Sequence, residues 1–288
     1  MDKRSIAIIG LPESGKTTFL AAMWNLLTER AADIPTKLHF HSLRSGEVTH
    51  LTRIAARWRD AVVQDRTGIG GNRLVSVSLL DEAALPVLVT FPDVPGEAYR
   101  RMWEERNCET AVAEMLRVES VLLFIHADTI RPPKWIVDEV ALSKSLGLTI
   151  PSNGIVQWHP RLSPTQVPLV DMLQLLRSEP LNVGPRRLAI ILSAWDKAEG
   201  EGLTPAEFLQ QKLPLLGQYL RANRDGWAWR VYGLSAQGGD YDPTDPQAPR
   251  KPQAQELRNL DQPSKRIRVI GDRQETHDLT EPLAWLME

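Results

Sequence analysis

The sequence predicts a doubly wound α/β fold: a mostly parallel six-stranded sheet with helices on both faces. Three observations predict it. Short runs rich in Ile, Val and Leu recur at 5–9, 74–80, 86–90, 120–125, 188–193 and 229–234. Longer stretches with apolar residues at helical spacing separate them. Four of the runs are near-continuously apolar, as strands buried on both faces of a parallel sheet must be.

Each element follows from its pattern. The run 5–9 ends at a glycine, and the stretch 17–29 places Phe19, Leu20, Met23, Leu26 and Leu27 on a helical face. The stretch 48–64 sets Val48, Leu51, Ile54, Ala55, Trp58 and Val62 on one face, with Arg53, Arg57 and Arg59 elsewhere. The run 74–80 alternates Val75, Val77 and Leu79 with Ser76 and Ser78, the pattern of an edge strand antiparallel to the next. A mostly polar helical region covers 97–118, and further helices are expected at 165–178, 204–224 and 279–287. The second of these opens with Thr204-Pro205-Ala206-Glu207, a capping box with proline at the first helical position. The alternation implies one domain over 1–288 with insertions at about 40–66 and 130–186. Five prolines make 240–264 read as a mobile loop or linker.

Composition narrows the function. Lys plus Arg is 34 and Asp plus Glu is 36, a formal charge of −2, so the surface as a whole is no polyanion trap. The clusters Arg53, Arg57, Arg59 and Lys265, Arg266, Arg268 read as solvated faces, and no nucleic-acid partner is expected. With 42% hydrophobic and 24% charged residues the chain is an ordinary globular one. The single cysteine, Cys108, excludes an intrachain disulfide and fits a reducing compartment. No stretch approaches the roughly 20 apolar residues of a membrane span, and the expected location is cytoplasmic.

Gly10-Leu11-Pro12-Glu13-Ser14-Gly15-Lys16-Thr17 fits GxxxxGK[ST], between a strand and a helix. Two glycines let successive backbone N–H groups point inward around an anion, and the positive end of the helix adds to them. Lys16 is placed for the β- and γ-phosphates, Thr17 for magnesium and Thr18 for the α-phosphate. Pro12 and Glu13 exclude the dinucleotide fingerprint. Asp93-Val94-Pro95-Gly96 follows the third run: an Asp there suits a magnesium-bound water, and the Gly96 N–H suits the γ-phosphate. Ser193-Ala194-Trp195-Asp196 follows the fifth run, where the Asp196 carboxylate can accept the ring and exocyclic N–H groups of guanine. After the last run, Ser235-Ala236 offers a backbone N–H to the guanine carbonyl.

In this order the motifs resemble those of Ras-like P-loop GTPases of the translation-factor-related class. Within it the chain is most similar to the prokaryotic double-GTPase family, through Gly15-Lys16-Thr17-Thr18-Phe19-Leu20-Ala21-Ala22, Asp93-Val94-Pro95-Gly96-Glu97 and Trp195-Asp196. The resemblance implies a P-loop NTPase fold, bound GTP or GDP with Mg²⁺, a nucleotide-controlled switch, and a place in a bacterial conflict system. It also implies a protein partner or a homodimer across the switch face. Ser193 and Ala194 depart from the family's Asn and Lys; the Lys stem covers the base, and Trp195 either stacks in its place or packs in the core. Thr67 is the switch threonine the resemblance asks for, a second magnesium ligand in a glycine-rich stretch. Glu97 stands where relatives carry a water-orienting Gln. It reads as a general base, as the cause of slow hydrolysis, or as a first-turn helix acid. Arg66, Arg100 and Arg101 are candidate charge-stabilising fingers, and each also fits a solvated arginine. The alternatives kept open are a nucleotide-binding scaffold with little hydrolysis and an ATP-using P-loop protein.

Overall fold

The computed structural model describes residues 5–29, 34–64, 73–93, 96–133, 141, 144–147, 159–245, 247–272 and 274–288. Its strands are β1 (Ser5–Gly10), β2 (His39–Ser45), β3 (Arg73–Leu80), β4 (Pro86–Asp93), β5 (Ser120–His126), β6 (Arg186–Ser193), β7 (Trp227–Ser235), β8 (Arg268–Ile270) and β9 (Glu275–Thr276). They form one nine-stranded sheet in the order β2-β3-β4-β1-β5-β6-β7-β8-β9. The centre β4-β1-β5-β6-β7 is parallel, and both wings are antiparallel.

All six expected strands are present, and three more extend the sheet beyond the expected six. The additions lie at the two ends of the sheet, β2 and β9 as its edges and β8 beside β9, where exposure or shortness leaves no apolar pattern in the sequence. β2 reads His-Phe-His-Ser-Leu-Arg-Ser and is largely exposed; β8 and β9 have three and two residues. As expected, β3 runs antiparallel to β4, pairing Arg73 with Asp93 through Leu80 with Pro86, but it is not the expected edge strand, because β2 pairs with its other side.

Alternate residues of the central strands feed two cores. Ile6, Ile8, Leu122, Phe124, Ala189 and Ile191 pack with α1 (Lys16–Thr28), α2 (Val48–Arg59), α9 (Pro252–Arg258) and α10 (Glu281–Met287). Ala7, Ile9, Val121, Leu123, Ile190 and Leu192 face α3 (Gly96–Glu105), α4 (Thr110–Leu116), α5 (Gln166–Leu176), α6 (Trp195–Ala198), α7 (Pro205–Lys212) and α8 (Pro214–Ala222). Burying one such Leu or Ile is worth about 1.5–3 kcal/mol. Phe19 meets Phe124 edge to face at 5.2 Å, which fixes α1, and with it the loop before α1, against β5.

Two expected long helices divide. The stretch 97–118 breaks after α3, where Arg106 takes φ 52°. The stretch 204–224 breaks at Leu213, because Pro214 cannot donate to the preceding turn. The capping box is formed: the Thr204 hydroxyl accepts from Glu207 N at 3.3 Å, and Glu207 Oε2 accepts from Thr204 N at 2.9 Å. The proline-rich stretch 240–264, read from sequence as a loop, contains α9 and the fully buried Asp242. The Asp242 carboxylate accepts from Lys251 N (2.7 Å), Arg258 (2.7 Å) and Arg250 (3.0 Å), and its backbone exchanges hydrogen bonds with Ala61 and Val63 after α2.

The Lys251 amide, with the two arginines, pushes the Asp242 carboxyl down to about 2. A folded-state value below the unfolded one stabilises the fold at every pH above the ordinary carboxylate range and loses that contribution as pH falls through the folded value. Asp242→Asn should therefore melt below wild type at pH 7, and the gap should close between about pH 4 and pH 2. Thermal melts of both proteins across that range check this.

Candidate nucleotide-binding site

The loop after β1 is shaped by three positive-φ residues: Gly10 at 154°, Glu13 at 61° and Gly15 at 89°. A Cβ on Gly10 would stand 2.7 Å from both the Phe124 carbonyl oxygen and Ser14 Oγ, so only glycine fits there. Gly15 caps α1 in the left-handed conformation and brings no side-chain cap to the helix's first N–H groups. Those groups and the helix dipole present positive charge to the concave side of the loop. Lys16 Nζ lies folded over the loop, donating to the carbonyls of Gly10 (2.8 Å) and Leu11 (2.8 Å) and to Ser14 Oγ (3.2 Å). Pro12, Thr17 and Thr18 are half-buried and Glu13 is exposed.

Beside Lys16 stands Tyr99 of α3, its ring centroid 5.9 Å from Nζ. Its hydroxyl donates to the Ile8 carbonyl at 3.2 Å, and burial pushes its pKa up, so it stays neutral. Tyr99 thereby anchors the helix after the DxxG segment to the strand that carries the phosphate loop. Asp93 ends β4 and Gly96 begins α3. The side chains of Asp93, Glu97 and Arg100 lie outside the described residues, as do Arg66 and Thr67 altogether. Arg101 is exposed and stands 3.8 Å from Glu109, a solvated pair.

The base-motif residues converge on this loop. Ser193 is buried, and its hydroxyl donates to the Ser14 carbonyl at 2.8 Å. A Cβ on Gly15 would lie 3.1 Å from Ser193 Cβ and Oγ. Ala194 takes φ 53° and turns the chain into α6. Trp195 belongs to the core: it is 2% exposed, meets Phe208 edge to face at 5.4 Å and lies against Gly233. The half-buried Asp196 accepts from Ser235 Oγ at 2.8 Å through Oδ1. Ser235 Oγ in turn accepts from Gly238 N at 3.3 Å. Next to them Lys197 pairs with Asp240 at 2.6 Å. The structure thus brings together Gly10, Pro12, Glu13, Ser14, Gly15, Lys16, Thr17, Thr18, Asp196, Ser235 and Ala236 at the C-terminal edge of the parallel strands, where open α/β sheets bind ligands.

The model of the Double-GTPase 1 family matches residues 7–286. The chain belongs to the Double-GTPase 1 family. Solved structures give distant likenesses. One is a bacterial selenocysteine-specific elongation factor (14% identity, TM-score 0.37), covering 83% of this chain and 27% of its own. A second is the signal recognition particle receptor SRb-GTP/SRX complex of Chaetomium thermophilum (16%, TM-score 0.40; 84% and 94%). A third is the Ski7 GTPase-like domain of Saccharomyces cerevisiae bound to GDP and inorganic phosphate (14%, TM-score 0.41; 90% and 50%). The chain thus spans about a quarter of the first and half of the last. No curated protein matches it.

For a Double-GTPase 1 member the departures from the base motif take on structural meaning. Ser193, in place of Asn, still reaches the phosphate loop. Ala194 carries no stem, and Trp195 points into the core rather than substituting for one. Sequence reasoning missed the Ser193 tether, although a small hydroxyl residue at the end of a buried strand is itself a signal. It also missed Tyr99, whose position in a polar helix hides its partner on β1.

Ser193→Ala removes the bond to the Ser14 carbonyl, worth about 1 kcal/mol. GDP affinity, measured by equilibrium titration, should fall about fivefold while the melting temperature moves by only a few degrees.

Proposed function

We propose that the chain is a single GTPase-like domain that binds and slowly hydrolyses GTP with magnesium, and works as a nucleotide-controlled switch. The observation that carries this is the junction of two sites: Ser193 joins the phosphate loop, through Ser14, to the strand that presents Asp196. A triphosphate held at 10–18 then lies beside a carboxylate that Ser235 holds in place. Guanine offers that carboxylate two adjacent N–H donors, and adenine does not. A site built around such an acceptor discriminates strongly against the base that leaves its remaining lone pairs unsatisfied.

The donor set suits magnesium. The Thr17 hydroxyl opens α1 next to the loop, Asp93 ends β4, and Thr67 is the switch donor expected from the sequence; all three are hard oxygen ligands. The ion, when bound, neutralises charge on the β- and γ-phosphates. The residues of the chain bind and orient. Lys16 leaves the carbonyls of Gly10 and Leu11 for the phosphates, the N–H groups of the loop surround the β-phosphate, and the Gly96 N–H meets the γ-phosphate.

Glu97 sets the rate. An ionised carboxylate accepts from the attacking water but cannot donate to the transition-state oxygens, and its charge opposes the phosphate. Unassisted turnover on the order of 10⁻⁴ to 10⁻² per second follows. The same two residues, Glu97 and Ala194, favour a second reading, a scaffold that holds nucleotide for a partner and barely hydrolyses it. In either case a protein partner or a second copy reads the switch face. Family resemblance points to a cytoplasmic bacterial conflict system as the setting.

Titration with GTP and ATP in magnesium tests the purine assignment: GTP should bind at least a hundredfold more tightly, and equal affinities overturn it. Lys16→Ala should abolish measurable binding of both. In single-turnover assays Glu97→Gln should speed GTP hydrolysis about tenfold by restoring a donor to the water site. A loss of a hundredfold or more would instead make Glu97 the general base.

A further inference from the structure

Trp58 lies in α2, within the stretch that reads as an insertion ahead of the switch. It is fully buried, and its indole Nε1–H donates to the Ala236 carbonyl at 2.8 Å across 178 residues of chain. The Arg266 guanidinium lies over the Trp58 ring, Cζ 3.8 Å from the centroid, and Nη2 donates to the Trp58 carbonyl. Arg266 is itself buried and sits 5.5 Å from the Tyr241 ring centroid. The turn after Ala236 presses on it: Gly238 takes φ 78°, and a Cβ there would stand 2.8 Å from Arg266 Cβ. The end of α2 is fastened to the same segment, Val63 N–H to Asp242 O at 2.9 Å and Asp242 N–H to Ala61 O at 2.8 Å.

Ala236 is therefore held from both sides. Upstream, Ser235 Oγ is bonded to Asp196. Downstream, the Ala236 carbonyl is bonded to Trp58, which fixes the peptide plane that follows the residue. The Ala236 N–H, the donor expected at the guanine carbonyl oxygen, gains its direction from these two restraints. We propose that Trp58 is a positioning residue for guanine specificity: without touching nucleotide, it holds the Ser235–Ala236 turn so that the Ala236 amide and the Asp196 carboxylate meet the base together. This rests on the guanine assignment of the site. Trp58 acts on base recognition only, because the phosphate loop takes its shape from Gly10, Gly15 and Ser193.

Trp58→Phe keeps an aromatic ring beneath Arg266 and removes the donor. Affinities for GDP and ADP in magnesium, with thermal melts, are measured for wild type and variant. GDP affinity should fall about tenfold, ADP affinity should be unchanged, and the melting temperature should stay within a few degrees. A parallel loss for both nucleotides, or an unchanged GDP-to-ADP ratio in the variant, overturns the inference while leaving the guanine assignment intact. A wild type that binds GDP and ADP equally overturns the assignment and the inference with it. A second measurement needs no variant: in wild type, amide hydrogen exchange across residues 54–62 should slow with GDP and not with ADP. Equal protection by both nucleotides, or none, counts against the role of Trp58.

Discussion

The nucleotide end of the molecule depends on how closely β6 approaches the phosphate loop. Gly15 has no side chain and Ser193 a short one, so the two meet with almost no space between them. The Ser193 hydroxyl then closes the gap by donating to Ser14. Larger residues at either position would push the loop off the strand. Asparagine, usual in this motif, spans a longer distance with an amide; here a hydroxyl does so at shorter range. That contact seats the loop, already curved by Gly10, Glu13 and Gly15, on the strand that leads to Asp196.

Buried cations shape the remainder. The Arg186 guanidinium donates to the carbonyls of Leu116, Val118 and Leu181, closing the end of α4 against β6, and burial pulls its pKa down to about 10. Arg266 does the same for α2 through Trp58. In both places carbonyl oxygens accept from the guanidinium, which fixes orientation more than it adds stability, since desolvating a guanidinium is costly. The two arginines hold together elements that sheet hydrogen bonding does not reach.

These relations explain what the sequence made legible. Four of the six expected strands are readable because burial on both faces leaves them near-continuously apolar, and β3 because Val75, Val77 and Leu79 alternate with Ser76 and Ser78. The phosphate loop is readable because its chemistry is local: eight consecutive residues carry the glycines, the lysine and the hydroxyl. The outer strands β2, β8 and β9 escape because exposure or a length of two or three residues leaves no pattern. The stretch 240–264 escapes because prolines and polar residues suggest a loop, while Asp242 draws it together through partners supplied by folding. Trp58 and Ala236 are 178 residues apart, so neither alone announces the other. Trp195 shows the reverse: its neighbourhood in sequence is the base motif, yet its side chain completes the core beside Phe208.

The missing lysine at position 194 puts these restraints to use. A lysine stem laid along the purine contributes dispersion contact that is much the same for guanine and adenine, so it supports affinity more than choice. Choice comes from matched hydrogen bonds, whose worth depends on the donors and acceptors being held in place before the base arrives. With Ala194 unable to cover the base, less of the binding energy is independent of orientation. On the proposed guanine reading, discrimination then leans on Asp196 and Ala236 being fixed in advance. Ser235 restrains Asp196 from the sheet side, and Trp58, wedged by Arg266, restrains Ala236 from the helix side. On that reading, a chain without the covering stem retains base selectivity only while both restraints hold.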